Sequence, residues 1–366
     1  MRRRLFLLGI FCFIISTILY SKYSKPSADS HLTAGGVDEV DWTNVSAAHE
    51  EEDELQVEAP CSLRKAARNN VLLRNRFRFS VPVLQWAGSF SKRSWEQLTE
   101  RAPPYGWKGL PVGAVRAALS LLYSSRLFWR GSPDRCVRCA VVGNGGILRG
   151  SGQGRHIDGH DLVFRMNGAV IEGFEDDVGT KISFYGFTTN TMKNALRLYR
   201  RDGFTRTPQS PEINYIFIPS DLRDYVMMAA ALQNQTVGSG RDKGDRPSKY
   251  FGHKPPENFR MLHPDFISYL TDSFLSSHRR TNTKFGHLYM PSTGALMLLT
   301  ALHTCDQVSA YGFITRNYAD FSDHYYDSRP KPLRFFANHD LRMESRLWET
   351  LHQSGLIRLY QGREAR

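Results

Sequence analysis

The sequence predicts an α/β fold, in which one mostly parallel sheet carries helices on both faces. Short apolar or β-branched runs alternate with segments of helical spacing, a pattern typical of a parallel sheet. The first of these runs, residues 139–142, leads directly into a glycine-rich turn. The 306 residues after position 60 contain no internal repeat and no long low-complexity linker, so a single domain is expected.

The N-terminus predicts a membrane anchor. Residues 5–20 are almost wholly apolar, and at about 1.5 Å per residue they span roughly 24 Å, which suits a thin membrane. Three arginines at positions 2–4 precede this run, which favours a cytoplasmic tail of residues 1–4 and a lumenal remainder. A cleaved signal peptide is the alternative, but the run is long for one and no clear cleavage site follows it.

Residues 21–60 are predicted to form an acidic stem. From position 23 onward they contain ten Asp or Glu residues against one lysine. The whole chain has a formal charge of +12, whereas residues 61–366 carry +17, and this excess predicts anionic partners. Behind a lumenal anchor, an anionic sugar donor or an acidic glycan is a better match than nucleic acid. A basic surface without a specific partner is the alternative.

The glycine-rich turn at residues 143–154 is a candidate binding site, because such turns offer backbone N–H groups to a phosphate. Asn144, next to Gly145, follows the first strand, and Asn167 follows a second strand at 162–166. Both are expected to bind one phosphate and its sugar. A dinucleotide-binding turn is a weaker alternative because its third glycine is misplaced, and a purely structural turn is another.

The elements after this turn continue the alternation. Further strands are predicted at 181–185, 214–218 and 307–311, and helices at 190–200, 221–232 and 295–302, while the spacing at 113–129 is also helical. Residues 236–256 are rich in Gly, Lys, Arg and Pro, and are predicted to be a mobile loop.

The helix at 295–302 predicts a second anion-binding position. Ser292 or Thr293 caps it, and Gly294 completes its first turn, so free N–H groups and hydroxyls face an anion. The strand at 307–311 ends at Gly312, at the edge where open α/β sheets bind ligands. A purely structural cap explains the same residues.

Two histidines in acidic and aromatic surroundings are candidate catalytic residues. His324 is followed by Tyr325, and His339 stands just before a predicted helix. That helix places Glu344 on its apolar face, where a carboxylate needs a partner, and His339 is the expected one. A neighbouring carboxylate would raise the basicity of His339 and make it a general base. An ordinary structural histidine is the alternative.

Four cysteines, an even number, follow the predicted anchor and are expected to form disulfides: Cys61, Cys136, Cys139 and Cys305. The Cys136-x-x-Cys139 spacing also fits half of a redox or zinc site, but no second pair completes one. Asn44 and Asn234 begin tripeptides that accept N-glycans in the lumen.

Taken together, these motifs resemble the four sialylmotifs of animal sialyltransferases. The stretch from Cys139 resembles the large motif, residues 287–313 the small motif, residues 324–327 the third, and His339 with Glu344 the very small motif. The first of these is most similar to the subgroup that sialylates O-6 of peptide-linked GalNAc. Asp327 departs from the family, where many members have Glu, but the carboxylate is kept.

The resemblance implies a Rossmann-like, GT-A-like catalytic domain at residues 61–366, held in the Golgi membrane as a type II protein. It implies CMP-sialic acid as donor and O-glycosylated glycoproteins as acceptors. His339 would remove the acceptor proton, His324 would assist the departing phosphate, and Glu344 would support the site. Donor binding would fall to Asn144, Gly145, Asn167, Ser292, Thr293, Gly294, Gly312 and Tyr325.

The resemblance further implies disulfides between Cys139 and Cys305 and between Cys61 and Cys136. No cofactor or metal ion is expected, because the sequence contains no Asp-x-Asp motif and a monophosphate leaving group needs a metal less than a diphosphate does. Three other functions are considered: transfer to galactose, an inactive lumenal glycan-binding protein, and a nicotinamide-dependent oxidoreductase.

Overall fold

A computed structural model of the chain contains one eight-stranded sheet and describes residues 61–130, 135–278, 286, 289–335 and 338–362. The strands are β1 (Leu84–Gln85), β2 (Arg138–Val142), β3 (Leu162–Met166), β4 (Phe184–Phe187), β5 (Asn214–Phe217), β6 (Phe259–Leu262), β7 (Gln307–Tyr311) and β8 (Arg358–Leu359). Their order across the sheet is β1-β6-β5-β4-β3-β2-β7-β8. All neighbouring strands are parallel except β1 and β6, which confirms the predicted sheet.

The α-helices of the described ranges connect or flank these strands. They are α1 (Leu63–Asn69), α2 (Lys92–Leu98), α3 (Val112–Leu119), α4 (Gly154–Asp158), α5 (Glu175–Val178), α6 (Thr189–Leu198), α7 (Leu222–Leu232), α8 (Ser248–Phe251), α9 (Pro264–Ser273), α10 (Thr293–Thr304) and α11 (Leu341–Gln353).

The sheet separates two hydrophobic cores. Cys139 and Val141 of β2 face a core built with α9, α10 and α11, whereas Ala140 and Val142 face a core built with α3, α6 and α7. A parallel strand that is buried on both faces reads as a continuous apolar run, which explains why this strand is visible in the sequence. Helices on both faces of the sheet are therefore confirmed.

Helix α10 is the central helix of the first core. It is apolar around almost its whole circumference, and it packs across β2, β3, β4 and β7. Gly186 in β4 makes room for this packing, because a β-carbon there would overlap Sδ of Met297. The close approach holds the N-terminal end of α10 near the ends of the central strands.

Two predicted elements differ from the structure by three or more residues at one end. The helix predicted at 113–129 ends at Leu119, because Leu122 and Leu127 are buried in opposite cores and no single helix could reach both. The strand predicted at 181–185 runs instead over Phe184–Phe187. Lys181 belongs to the preceding turn, where its N–H donates to Asp158 (2.9 Å) and its ammonium group to the His160 carbonyl (2.6 Å).

Residues 236–256 are more structured than the predicted loop. They contain helix α8, and the buried Asp242 accepts hydrogen bonds from Nε (2.8 Å) and Nη2 (2.9 Å) of Arg223 and from Lys193. Asp245 pairs with Lys193 and, at 2.8 Å, with Lys249. These ion pairs attach the segment to α6 and α7.

Both predicted disulfides are present. Cys61 bonds to Cys136 and Cys139 bonds to Cys305, each with 6.2 Å between the Cα atoms. The pairing confirms the prediction and excludes a zinc or redox role for the Cys136-x-x-Cys139 spacing in this state of the protein.

The predicted tail (1–4), anchor (5–20), stem (21–60) and glycosylation site Asn44 lie outside the described residues. Within the described ranges, no helix combines the length and the apolar character that crossing a membrane requires. The described residues belong to one compact unit. Asn234 is exposed just beyond α7, where a glycan could be attached. Its role as a glycan acceptor stays a prediction.

Candidate active site

The ends of β2 and β7 meet where the strand order of the sheet reverses. Gly143 N–H donates to the Tyr311 carbonyl (2.8 Å), and Gly145 N–H donates to the Gly312 carbonyl (3.0 Å). A β-carbon on Gly143 or on Gly145 would lie only 2.7 Å from the Gly312 oxygen, so side chains are excluded at this contact. Open α/β sheets bind ligands at such a reversal point, and two predicted site residues, Gly145 and Gly312, lie there together.

Several backbone N–H groups of the glycine-rich turn donate hydrogen bonds within the chain itself. Gly150 N–H and Gly152 N–H donate to the carboxylate of Asp177 (2.7 and 2.9 Å), and Gly145 N–H is taken by Gly312. These three N–H groups are therefore not open to the phosphate that the glycine pattern predicts. The carboxylate of Asp177 is the anion that binds the far end of the turn, whereas the side chain of Asn144 stands at its start.

Asn144 and Asn167 lie side by side at the ends of β2 and β3. Nδ2 of Asn144 donates to the carbonyl of Met166 (3.3 Å), the residue before Asn167, while the Asn167 carbonyl accepts from the Tyr185 hydroxyl. Oδ1 of each asparagine is buried and has no hydrogen-bond partner in the described part of the chain. Because an unpartnered buried polar atom is costly, these amides are arranged to bind a polar ligand.

His324 and Tyr325 pack against the same turn. Gly145 and His324 form an antiparallel bridge, and Tyr325 N–H donates to the Asn144 carbonyl (3.1 Å). The imidazole of His324 stacks on the Tyr326 ring, with 4.9 Å between centroids, and meets Tyr199 edge-on at 5.0 Å. Aromatic contacts on two sides fix the orientation of this ring beside Asn144.

Asp327 holds the backbone of the His324 segment. Its carboxylate accepts hydrogen bonds from His324 N–H (2.8 Å), the Ser322 hydroxyl (2.7 Å) and the Lys331 ammonium group (2.7 Å). Burial alone would raise the pKa of Asp327, but these hydrogen bonds hold it below its usual value. Asp327 has a shorter side chain than the Glu of many family members, but its ionised carboxylate still anchors this loop.

The N-terminal end of α10 is held by Glu344. Ser292 caps the helix by accepting from Ala295 N–H (3.0 Å), and it donates to Glu344 through its N–H (3.0 Å) and its hydroxyl (2.7 Å). Burial raises the pKa of Glu344 to about 7 although both hydrogen bonds act to lower it. The predicted inward orientation of Glu344 is confirmed, but its hydrogen-bond partner is Ser292 rather than His339.

His339 is half-buried, with hydrogen-bond partners at both ring nitrogens. Nδ1 lies 2.8 Å from the carbonyl of Met290, so it carries the proton in the neutral ring, and Nε2 lies 3.0 Å from Nδ2 of Asn338 and accepts from it. Burial lowers the pKa of His339, which is opposite to the expected effect of a carboxylate neighbour. At neutral pH the imidazole is therefore uncharged, with its lone pair on Nε2.

Contacts between elements bring the two halves of the site together. A β-carbon on Gly294 would lie 3.5 Å from the Phe313 ring and 3.7 Å from Sδ of Met166, so the first turn of α10 sits beside the residues that adjoin Gly312 and Asn167. Thr293 is buried at the start of the same turn. The predicted site residues thus gather at one edge of the sheet, the carboxyl end of its parallel strands.

Sequence reasoning missed three residues of this region. Arg165 is fully buried in β3 and donates to the carbonyls of Lys181 (3.0 Å) and Val178 (2.6 Å), while burial lowers its pKa to about 10. The sequence does mark Arg165, because a cation within an otherwise apolar strand needs buried hydrogen-bond partners. Asp177 and Tyr199 act through contacts that are distant in sequence, and no local pattern marks them.

The residues described here offer no group of three His, Cys, Asp or Glu side chains that could hold a metal ion. Independence from metal stays a prediction.

Comparison with known proteins decides the family. A profile of glycosyltransferase family 29 (sialyltransferase) matches residues 84–356. The chain belongs to this family. The large, small, third and very small sialylmotifs identified above all lie within the matched residues.

Individual relatives agree with this family. The human protein named alpha-N-acetylgalactosaminide alpha-2,6-sialyltransferase 2 is 58% identical over 305 residues, covering 82% of this chain and 81% of that protein. The mouse protein named alpha-N-acetylgalactosaminide alpha-2,6-sialyltransferase 1 is 40% identical over 322 residues, covering 84% of this chain and 60% of that protein.

Solved structures agree as well. A crystal structure of a mammalian sialyltransferase superposes with a TM-score of 0.56 at 26% identity, covering 84% of this chain and 97% of that one. A second structure with the same values is a complex with Gal-beta-1-3GalNAc-ortho-nitrophenol.

Proposed function

We propose that this protein transfers sialic acid from CMP-sialic acid to O-6 of GalNAc on O-linked glycoproteins, with inversion at the anomeric carbon. Its 58% identity to a relative named for alpha-2,6 transfer to alpha-N-acetylgalactosaminide carries the acceptor assignment. The paired, unsatisfied amides of Asn144 and Asn167 support the donor assignment, because a nucleotide phosphate and its ribose supply both acceptors and donors.

His339 acts as the general base. Its Nδ1–H donates to the Met290 carbonyl, so the lone pair of the ring is on Nε2, where it accepts from the amide of Asn338. The acceptor hydroxyl replaces that amide, gives its proton to Nε2, and attacks the anomeric carbon opposite the phosphate. A base that is neutral near neutral pH is suited to this step.

His324 acts on the leaving group. As the bond to the phosphate breaks, negative charge grows on the phosphate oxygens, and a hydrogen bond from His324 stabilises that charge in the transition state. The aromatic contacts to Tyr326 and Tyr199 keep the imidazole in place, and its bridge to Gly145 puts it beside Asn144.

Glu344 supports the site indirectly. By accepting from both the N–H and the hydroxyl of Ser292, it orients the cap of α10 at the donor site. Thr293 and Gly294 then present the positive end of the helix to the anionic groups of the donor, while the N–H and the hydroxyl of Ser292 stay on Glu344. No metal ion takes part.

We place the protein in the Golgi membrane, with residues 5–20 as a type II anchor and the catalytic domain in the lumen. The apolar run, the arginines before it and the two disulfides, which persist in oxidising compartments, support this topology.

The test is a transfer assay with the whole chain in neutral detergent. CMP-sialic acid is offered with a GalNAc-Ser/Thr glycopeptide or with a galactose-terminated acceptor, with and without EDTA, and the product linkage is read by NMR. We expect transfer to O-6 of GalNAc that is unchanged by EDTA.

Transfer only to galactose would overturn the acceptor assignment, and inhibition by EDTA would overturn the metal-free mechanism. Binding of CMP without any transfer would indicate an inactive glycan-binding protein. Tight binding of NAD instead of CMP would indicate an oxidoreductase.

A further inference from the structure

The first described part of the chain carries an unusual concentration of positive charge. Residues 61–95 contain no Asp or Glu, and residues 64–78 contain six Lys or Arg. Lys65, Arg74 and Arg76 are exposed, and no carboxylate in the described ranges forms an ion pair with any of them. In the same segment the side chains of Val71 and Leu72 are 79% and 77% exposed. We call residues 64–78 the basic segment.

A groove of 520 Å³ adjoins the basic segment. Phe274, Met343 and Leu347 give it an apolar lining, and the exposed Arg76 and Arg346 stand at its rim, together with one carboxylate, Asp272. We call it the α11 groove, because Met343, Arg346, Leu347 and Thr350 follow one side of that helix. Apolar lining with a cationic rim fits an extended segment that is both acidic and aliphatic.

The chain itself contains such a segment a few residues before Cys61. Residues 50–58 read Glu-Glu-Glu-Asp-Glu-Leu-Gln-Val-Glu, which is six carboxylates with two aliphatic side chains, Leu55 and Val57. The acidic and aliphatic residues of this segment are complementary to the cations and the apolar lining described above. No other stretch of nine residues in the chain has six carboxylates.

The distances allow this segment to reach the groove. Helix α1 has seven residues and covers about 10 Å, and just after it Nδ2 of Asn70 donates to the Ser354 carbonyl (3.4 Å). Thr350, one helical turn before Ser354, lines the groove. Leu55 is six residues from Cys61, so an extended chain carries it roughly 20 Å, which exceeds the combined length of helix α1 and one turn of α11, about 15 Å.

We propose that residues 50–58 dock on the basic segment and along the α11 groove of the same molecule. Leu55 and Val57 cover apolar surface, while the carboxylates pair with Arg74, Arg76 and Arg346. Tethering through so few residues gives an effective concentration on the order of millimolar, so individually weak ion pairs suffice. The docked segment fixes the direction in which the chain leaves the catalytic domain.

Hydrogen–deuterium exchange on the whole chain in neutral detergent tests this proposal. In the test variant, Glu52→Gln, Asp53→Asn and Glu54→Gln remove three charges. We expect peptides from residues 70–78 and 341–353 to exchange at least about threefold faster in this variant, and we expect salt at about 0.5 M to produce the same change in the wild type, since exposed ion pairs are screened.

The matched control removes three charges farther from Cys61: Asp38→Asn, Glu39→Gln and Asp41→Asn. It should leave exchange in both peptides unchanged. A charge swap that combines Arg74→Glu and Arg76→Glu with Glu52→Arg and Glu54→Arg should restore slow exchange.

Three outcomes would overturn the proposal. The test variant could exchange as slowly as the wild type. Protection could depend on protein concentration, which would make a second copy the occupant. Protection could also appear only with vesicles that contain about 30% phosphatidylserine, which would make the membrane surface the partner of the basic segment.

Discussion

At the scale of single residues, the proposed reaction depends most on the neutral imidazole of His339. Replacing it with alanine removes the base for the acceptor hydroxyl, and because general bases contribute about 10² to 10⁴ in rate, we expect kcat to fall at least about a hundredfold. His253→Ala is the control, since that histidine is exposed and lines a separate cavity formed with α7 and α8 residues. Transfer rates and Tm measured on both variants check the prediction. Near-normal turnover in His339→Ala would remove that residue from its role.

Glu344 gives the fold a dependence on pH that can be measured. Burial raises its pKa from 4.5 to about 7, so the proton is held more tightly in the folded state. The stability that this carboxyl contributes is complete below its unfolded pKa and is lost as the pH rises through about 7. Glu344→Gln cannot ionise and escapes this loss.

We therefore expect Glu344→Gln to gain on the order of 2 kcal/mol relative to the wild type between about pH 5 and pH 8. Urea unfolding of both proteins at the two pH values measures it. A difference in unfolding free energy that is the same at both would show that the carboxyl of Glu344 does not change its protonation on unfolding.

The candidate residues were predictable one by one, but their partners were not. Asn144, Ser292 and His339 stand at ends of strands or helices, where the pattern of apolar residues stops and the sequence marks a boundary. The hydrogen bond between Glu344 and Ser292 joins positions 52 residues apart, and no period or motif relates them. Only the packing of α11 against the start of α10 brings them together.

At the scale of elements, the segment of residues 236–256 is attached by Asp242, which is almost fully buried between Arg223 and Lys193. Asp242→Asn removes the negative charge that pairs with Arg223 and Lys193. Breaking a buried ion pair costs about 3 to 5 kcal/mol, and because the Lys193 side chain is 30% exposed we expect about 2 kcal/mol here. Urea unfolding measures the loss, and limited proteolysis should cut first within this segment.

The exposed Asp320→Asn is the matched control, since no ion pair to it is present among the described residues. Equal stability of the two variants would mean that the ion pairs of Asp242 contribute nothing to the attachment of the segment.

Strands were predictable where both of their faces are buried, as in β2, β3, β5 and β7. The edge strands β1 and β8 have two residues each, too few to show a pattern. In β6 the polar Arg260 interrupts the apolar run. The position of β4 was missed because Gly186 weakens the β-strand pattern of the sequence. A glycine is needed there because Met297 of α10 packs against it, and this tertiary contact cannot be seen in the sequence.

At the scale of the whole molecule, the disulfide between Cys139 and Cys305 joins the two elements that carry the donor site. Cys139 lies in β2, which leads to Asn144, and Cys305 caps the end of α10, whose other end begins at Ser292. Its closed loop spans 166 residues, for which chain entropy gives about 5 kcal/mol. That is comparable with the total stability of many domains, about 5 to 15 kcal/mol.

We therefore expect the pair of changes Cys139→Ala and Cys305→Ala to cost more stability than Cys61→Ala with Cys136→Ala, and also to raise KM for CMP-sialic acid. The second disulfide closes only 75 residues, and both of its cysteines are partly exposed. Urea unfolding and donor titrations of the two double variants, without reductant, make the comparison. An equal loss of stability with unchanged KM in both would show that β2 and α10 keep their relative position through core packing alone.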